Sequence, residues 1–155
     1  MSRRPDRLRA SPLVQVSSRN GPHAVTSAQV RKRVVAMLCA LDRADAELSV
    51  MLVDDAMIRS LNGKYRGIDA ATDVLAFPML EGDFAGIHPQ MLGDVVISIP
   101  TAARQAKAVG QSVLAEVTHL LAHGLLHLVG YDHDTRNKRR AMMIETQRLV
   151  AAVEA

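Results

Sequence analysis

The sequence predicts an α+β protein with a single domain: a small mixed sheet of about four strands with helices packed on it. Three observations carry that expectation. Strand-like and helix-like segments follow one another through all 155 residues without a repeat or a linker. Hydrophobic residues make up 48% of the chain, enough to bury a core of useful size. No apolar run approaches the length that spans a bilayer, so no membrane segment is expected.

Taken in order, the opening "MSRRPDRLRASP" is Arg-rich, and no apolar stretch follows it. It reads as a basic, disordered arm over 1–11, with the domain occupying 12–155. "SPLVQVS" (11–17) alternates like a first strand. Val30, Val34, Met37, Leu38 and Leu41 fall at helical spacing within 26–41, and "AELSVMLVD" (46–54) reads as a second strand. Asp54 can cap a short helix containing Met57, Ile58 and Leu61 that stops at Gly63. "TDVLAFPM" (72–79) and "LGDVVISI" (92–99) are further strands, joined by a Gly- and Pro-containing loop over 80–91. Pro100 starts a helix that Gly110 ends. Ser112 and Thr135 are caps for the last two helices.

Charge and cysteine content narrow the function classes. The formal net charge is only +3, but the cations cluster at Arg3, Arg4, Arg7 and Arg9, at Arg31, Lys32 and Arg33, and at Arg136, Lys138, Arg139 and Arg140. Any one cluster reads as a solvated helix face; together, near a catalytic centre, they suit a polyanion such as RNA. Tyr65, Tyr131, Phe77 and Phe84 are the only aromatics, too few for a binder built on stacking platforms. An RNA partner is therefore expected to be held mainly through its phosphates. A single cysteine, Cys39, excludes an intramolecular disulfide, suits a reducing cytoplasm and reads as a core thiol of the first helix.

The chemistry concentrates in "HGLLHLVGYDH" (123–133), which holds three of the six histidines. Within 112–129, Val113, Leu114, Val117, Leu120, Leu121, Leu125 and Leu128 form the apolar stripe of a buried helix. Beside it runs an ionisable stripe, Glu116, His119, His123 and His127, at steps of three, four and four. Buried ionisable groups need partners, and a metal supplies one. Histidines at i and i+4 can aim at one point, and Gly130 can turn the chain so that His133 returns as a third ligand. Three neutral nitrogens suit zinc or a similar late transition metal and leave a position open, as catalytic sites do. His119 reads as a structural or supporting residue rather than a ligand, and His23 and His88 fall in loops without a functional role.

The spacing H-x3-H-x2-G-x2-H is that of the metzincin zinc proteases, so the helix is expected to resemble theirs. Gly124, however, stands where their helix carries the general-base Glu, which argues against peptide hydrolysis. With "LNGKYRGIDAATDVLAFP" (61–78) and "LGDVVIS" (92–98), the motif closely resembles the YbeY family of bacterial endoribonucleases, also called rRNA maturation factors. The resemblance covers the middle and C-terminal half in the family's order, and the N-terminal quarter in general pattern only. It implies that His123, His127 and His133 bind one zinc ion per chain and that Arg66 is the functionally important arginine. It further implies cleavage of single-stranded RNA, 3′-end maturation of small-subunit rRNA and a part in ribosome quality control, with rRNA and the small subunit as partners. One segment departs from the pattern: "DTRNKRRA" (134–141) is basic where the family is usually acidic.

On this reading Arg66 holds phosphoryl charge in the transition state, the alternative being an ion pair with Asp69 or Asp73. The proton acceptor stays open. Asp132 or Asp134 can assist metal-activated water, although Asp132 reads better as a turn residue or as support for a ligand. Two rival classes are a zinc hydrolase of another substrate and a non-enzymatic ribosome-assembly factor with a structural metal. The second would need a fourth protein ligand that the motif does not offer.

Overall fold

A computed structural model describes residues 12–21, 23–79 and 90–154. The arm expected at 1–11 and most of the loop expected at 80–91, including His88, lie outside the described residues. The elements run β1 (Leu13–Ser18), α1 (Ser27–Ala40), β2 (Glu47–Val53), α2 (Asp55–Arg66), β3 (Val74–Pro78), β4 (Met91–Ser98), α3 (Ile99–Ala108), α4 (Val113–Leu128) and α5 (Arg136–Glu154). The strands form one mixed sheet in the order β1-β2-β4-β3. β1 and β2 pair in parallel, as do β2 and β4, while β3 closes one edge antiparallel to β4.

Alternation along the strands divides the side chains between two faces. Val14, Leu48, Val50, Leu52, Val95 and Ile97 point into the main core, against Val34 and Leu38 of α1, Leu121 and Leu125 of α4 and Leu149 of α5. The opposite face is smaller: Val53, Leu75 and Val96 pack with Ile58 of α2, flanked by Met51, Leu61 and Phe77. α4 is therefore a helix inside the core, with Val117, Leu121, Leu125 and Leu126 fully buried. Truncating one such leucine to Ala costs about 2–5 kcal/mol, a large share of a domain's total of about 5–15 kcal/mol.

Caps fix where the helices begin. Thr26 closes a capping box with Gln29, Asp54 accepts from the Met57 N–H at 2.9 Å, Ser112 from Ala115 and Thr135 from Lys138. Three expectations need correction. α2 does not stop at Gly63: it runs to Arg66, and Gly67 at φ +70° ends it. Glycine inside a helix costs only about 1 kcal/mol, and the edge-on contact of Tyr65 with Phe77 at 5.4 Å favours the extra turn. α3 starts one residue before Pro100, capped by Ser98. Cys39 is exposed rather than a core thiol, because the buried face of α1 is set by Val30, Val34, Met37 and Leu38.

A polar junction ties α2 to the start of α3. The Asp55 carboxylate accepts from Ser98 Oγ at 2.6 Å, Thr101 Oγ1 at 2.5 Å and Arg104 at 2.8 Å. The Ser98 and Thr101 hydroxyls, followed by Arg104, hold its pKa below the ordinary 3.8. A carboxylate stabilised in this way contributes fully above its unfolded pKa, and the contribution fades as pH falls through the folded value. Asp55→Ala is expected to cost about 1–3 kcal/mol at neutral pH in denaturant melts. The gap between the two proteins should close as the pH drops below 3.8. A gap independent of pH would mean that the carboxylate's charge contributes nothing.

Candidate metal centre

The last turns of α4 place His123 and His127 on the side of the helix that faces the free edge of β3. Gly124, between them, explains how close that edge lies. A Cβ built on Gly124 would stand 2.9 Å and 3.3 Å from the two γ-methyls of buried Val95, and 3.4 Å from a methyl of Val74. The helix can therefore lie on β3 and β4 at this height only with glycine there. The general-base Glu of the metzincin pattern is excluded by packing as well as by identity.

After α4 the chain turns through Gly130 at φ +104°. The Tyr131 N–H bonds to the Leu126 carbonyl at 2.9 Å and the Gly130 N–H to the His127 carbonyl at 3.1 Å, the paired bonds of a Schellman ending. That reversal brings His133 back across the helix end, as the sequence predicts. One nitrogen each from His123, His127 and His133 lies within 4.8 Å of the others. The Nε2 atoms of His123 and His127 are 3.2 Å apart, so they share either one proton or one cation. Tetrahedral zinc, with bonds of about 2.0–2.1 Å, needs donors about 3.4 Å apart. The residues present fit such an ion.

The electrostatics favour the neutral form of two of these rings, His123 and His127. Burial pushes His123 down to about 4, with help from His127, His119 and His133. Burial also lowers His127, followed by the charge of His133, and the Arg66 guanidinium pushes the same way. The ionisable stripe read from the sequence divides in two. Glu116 is buried at the far end of α4, where Gln111 donates to it at 2.6 Å. His119 is exposed and outside the three-histidine group.

Around the three rings opens a cleft of about 700 Å³, walled by Asn62 and Arg66 of α2, by Val74, Ala76 and Pro78 of β3, and by Asp132. Arg66 takes neither of the ion pairs considered above. Asp69 pairs with Arg59 at 2.7 Å, and the Asp73 carboxylate accepts from the Val74 N–H at 2.8 Å. Arg66 instead donates to the Ala76 carbonyl at 2.6 Å, on the unpaired side of β3, and lies 5.5 Å from the Phe77 ring centroid. These two contacts place the guanidinium against the β3 edge at the cleft wall. Asp132 accepts from the Asp134 N–H at 3.2 Å and lies 3.5 Å from Lys138 Nζ. The Asp134 N–H, followed by Lys138, keeps its carboxyl below the usual range. Asp132 is thus a turn residue and a charged wall rather than a base poised near neutrality. Sequence reasoning did not find the β3 wall, the Ala76 carbonyl or Asn62, whose buried side chain donates to Ala70 at 3.0 Å and braces the 67–72 turn. Contacts of this kind involve backbone groups, and residue patterns do not display them.

Among the described residues no fourth side chain joins the three histidines. The fold and this centre define a class: α+β proteins with an open three-histidine site at a sheet edge. Residues 15–154 match the family described as Endoribonuclease YbeY, and the chain belongs to that family. Relatives bearing that name include one from Anaeromyxobacter dehalogenans (strain 2CP-C), 47% identical over 140 residues, which cover 90% of this chain and 71% of that protein. Another, from Geobacillus kaustophilus (strain HTA426), is 42% identical over 137 residues, covering 82% and 88%. The solution structure of TM1509 from Thermotoga maritima shares the fold at a TM-score of 0.64 and 24% identity, over 91% of this chain and 89% of that one.

Two glycine variants test the geometry separately. Gly124→Ala gains about 1 kcal/mol of helix propensity but forces overpacking worth about 1–3 kcal/mol, so a net loss of stability is expected in thermal melts. In Gly130→Val the added Cβ meets no atom within 4 Å, so at that atom the strain is in the backbone. The variant should lower metal content per chain although it removes no ligand. Normal loading in Gly130→Val would show that the return of His133 does not depend on this turn.

Proposed function

We propose that this chain is a single-strand-specific, metal-dependent endoribonuclease, with zinc as its ion, acting in 3′-end maturation of small-subunit rRNA and in ribosome quality control. The observation that carries the reading is the convergence of His123, His127 and His133 within 4.8 Å at the floor of an open cleft, in a chain of this family. Those three residues would hold the ion. When bound, it supplies Lewis acidity toward a phosphoryl oxygen and toward the attacking oxygen, with the full double charge that neutral imidazoles leave it.

The chain's own residues do the rest. Arg66 presents the guanidinium nitrogens not used on Ala76 to the cleft, where they can hold phosphoryl oxygens as charge grows on them. The bond to Ala76 holds the guanidinium beside the cleft before substrate binds. Gly124 keeps a carboxylate out of the position from which a metzincin activates water, which disfavours peptides as substrates. Exposed Arg136, Lys138, Arg139 and Arg140 begin α5 directly beyond the ligand turn and offer charge to neighbouring phosphates. An extended strand can lay a phosphate between the β3 edge and the turn. No helix among the described residues is long and apolar enough to cross a membrane. An exposed free thiol at Cys39 fits a cytoplasmic setting.

The test is cleavage of unpaired RNA by metal-loaded protein, with end-group analysis, beside His127→Ala, Arg66→Lys and Arg66→Ala. His127→Ala should abolish both metal and activity. Arg66→Lys should keep the metal and bind RNA near normally, yet cleave about 10²–10³-fold more slowly, since an ammonium cannot make a planar two-point contact. Loss of the bond to Ala76 should cost Arg66→Ala only about 1 kcal/mol in stability. A metal-loaded Arg66→Ala protein that cleaves at the wild-type rate would remove the catalytic role. Full activity in metal-free His127→Ala would remove the metal from the mechanism.

A further inference from the structure

β3 is an edge strand, and residues along it line the metal cleft. Strand register decides which of its backbone groups point outward from the sheet. The Ser98 N–H bonds to the Asp73 carbonyl at 2.9 Å, and Val74 to Pro78 continue that pairing with Ile97 to Gly93 without a shift. In an antiparallel ladder bonded and non-bonded pairs alternate, so Asp73, Leu75 and Phe77 turn their backbone groups toward β4. Val74, Ala76 and Pro78 turn theirs outward. Two contacts agree with this phase. The Val74 N–H bonds to the Asp73 carboxylate at 2.8 Å, and the Ala76 carbonyl accepts from Arg66 at 2.6 Å.

These contacts leave the Ala76 N–H as an outward donor with no partner among the described residues. A backbone donor left free in a native fold is met by water or by a ligand. The edge is poorly suited to a further β-strand, which needs donors and acceptors in turn. Arg66 covers the Ala76 carbonyl, Asp73 covers the Val74 N–H, and Pro78 has no N–H to give. An anion needs donors alone. The N–H and carbonyl of one strand residue point the same way, so the guanidinium bonded to the Ala76 carbonyl stands beside the Ala76 N–H. We propose that the Ala76 N–H is a second donor to the phosphoryl group of the substrate, taking one non-bridging oxygen while Arg66 takes another. Asp73 and Asp132 put carboxylates in the same cleft, but the Val74 N–H engages the first, and the Asp134 N–H and Lys138 engage the second. A donor fixed by strand pairing needs no reorganisation as charge grows on the oxygen it faces, which is where such donors contribute most. The catalytic part of this assignment rests on the nuclease reading; the anion site itself does not.

Two variants delete this N–H. Ala76→Pro spares the ladder to β4, because the outer side of an edge strand is where proline is admitted. A backbone ester at 76, with lactic acid built in for Ala76, removes the same proton and adds no atom to the cleft. When metal-loaded protein is titrated with inorganic phosphate, the Ala76 amide resonance should shift as phosphate binds, and the ester should bind phosphate about tenfold more weakly. Both variants should cleave unpaired RNA about 10²–10³-fold more slowly while binding it within about tenfold of wild type, with metal content unchanged. An Ala76 amide indifferent to saturating phosphate would overturn the proposal, as would an ester that binds phosphate and cleaves like wild type. So would a shift of that amide by acetyl-tetra-alanine amide at lower concentration than by phosphate, which would assign the edge to a peptide strand. Phosphate at Ala76 without RNA cleavage would sink the nuclease reading and keep this site; cleavage with a silent Ala76 amide would do the reverse.

Discussion

The close approach of α4 to the sheet at Gly124 is the contact on which the rest of the structure depends. With Val95 methyls 2.9 and 3.3 Å from where a Cβ would stand, the helix lies too near the side chains of β4 to carry a Cβ at 124 without a shift. That approach buries the leucine stripe of α4 and sets the height of His123 and His127 against the sheet edge. It also leaves the unpaired side of β3 as one wall of the cleft, within reach of Arg66. Overpacking by even one methyl would lift the helix from the sheet and shift its histidines relative to Arg66. Core packing and the placement of His123 and His127 are therefore a single constraint here.

The second determinant is what happens where the helix ends. Paired bonds from Gly130 and Tyr131 reverse the chain, and His133 returns over the rings it must join. Burial keeps His123 and His127 neutral, so no proton need be displaced near neutral pH for a cation to bind. The cleft thus combines His123 and His127, held toward their neutral forms, with the Arg66 guanidinium bonded to the β3 edge on its wall. Such an arrangement suits a substrate whose negative charge grows during reaction better than one whose charge is constant.

How legible this was in the sequence follows from periodicity. The strands and helices appeared because their apolar residues repeat at two or about three and a half, and the three-histidine group because its spacing and Gly130 form a local pattern. Gly63 misled because two glycines lie close together, and only backbone conformation shows that Gly67 is the one with positive φ. Cys39 misled because one step around a helix separates the core face from solvent. Arg66 was singled out by likeness to the family, but its bond to the Ala76 carbonyl was not, since strand pairing decides which carbonyls are free. The outward N–H of Ala76 escaped notice for the same reason, and register alone reveals it. Glu116 and His119 looked continuous with the ligands because helical phase does not show where the protein surface begins.

The central claim is that His123, His127 and His133 together hold one ion in an open site. X-ray absorption at the metal edge of the purified protein tests it most directly, because it counts imidazole ligands and detects sulfur. The account predicts three imidazoles at zinc-nitrogen distances of about 2.0–2.1 Å plus at least one exchangeable light donor, which a phosphate analogue perturbs. Two imidazoles, a sulfur ligand from Cys39, or a closed shell indifferent to phosphate would contradict it.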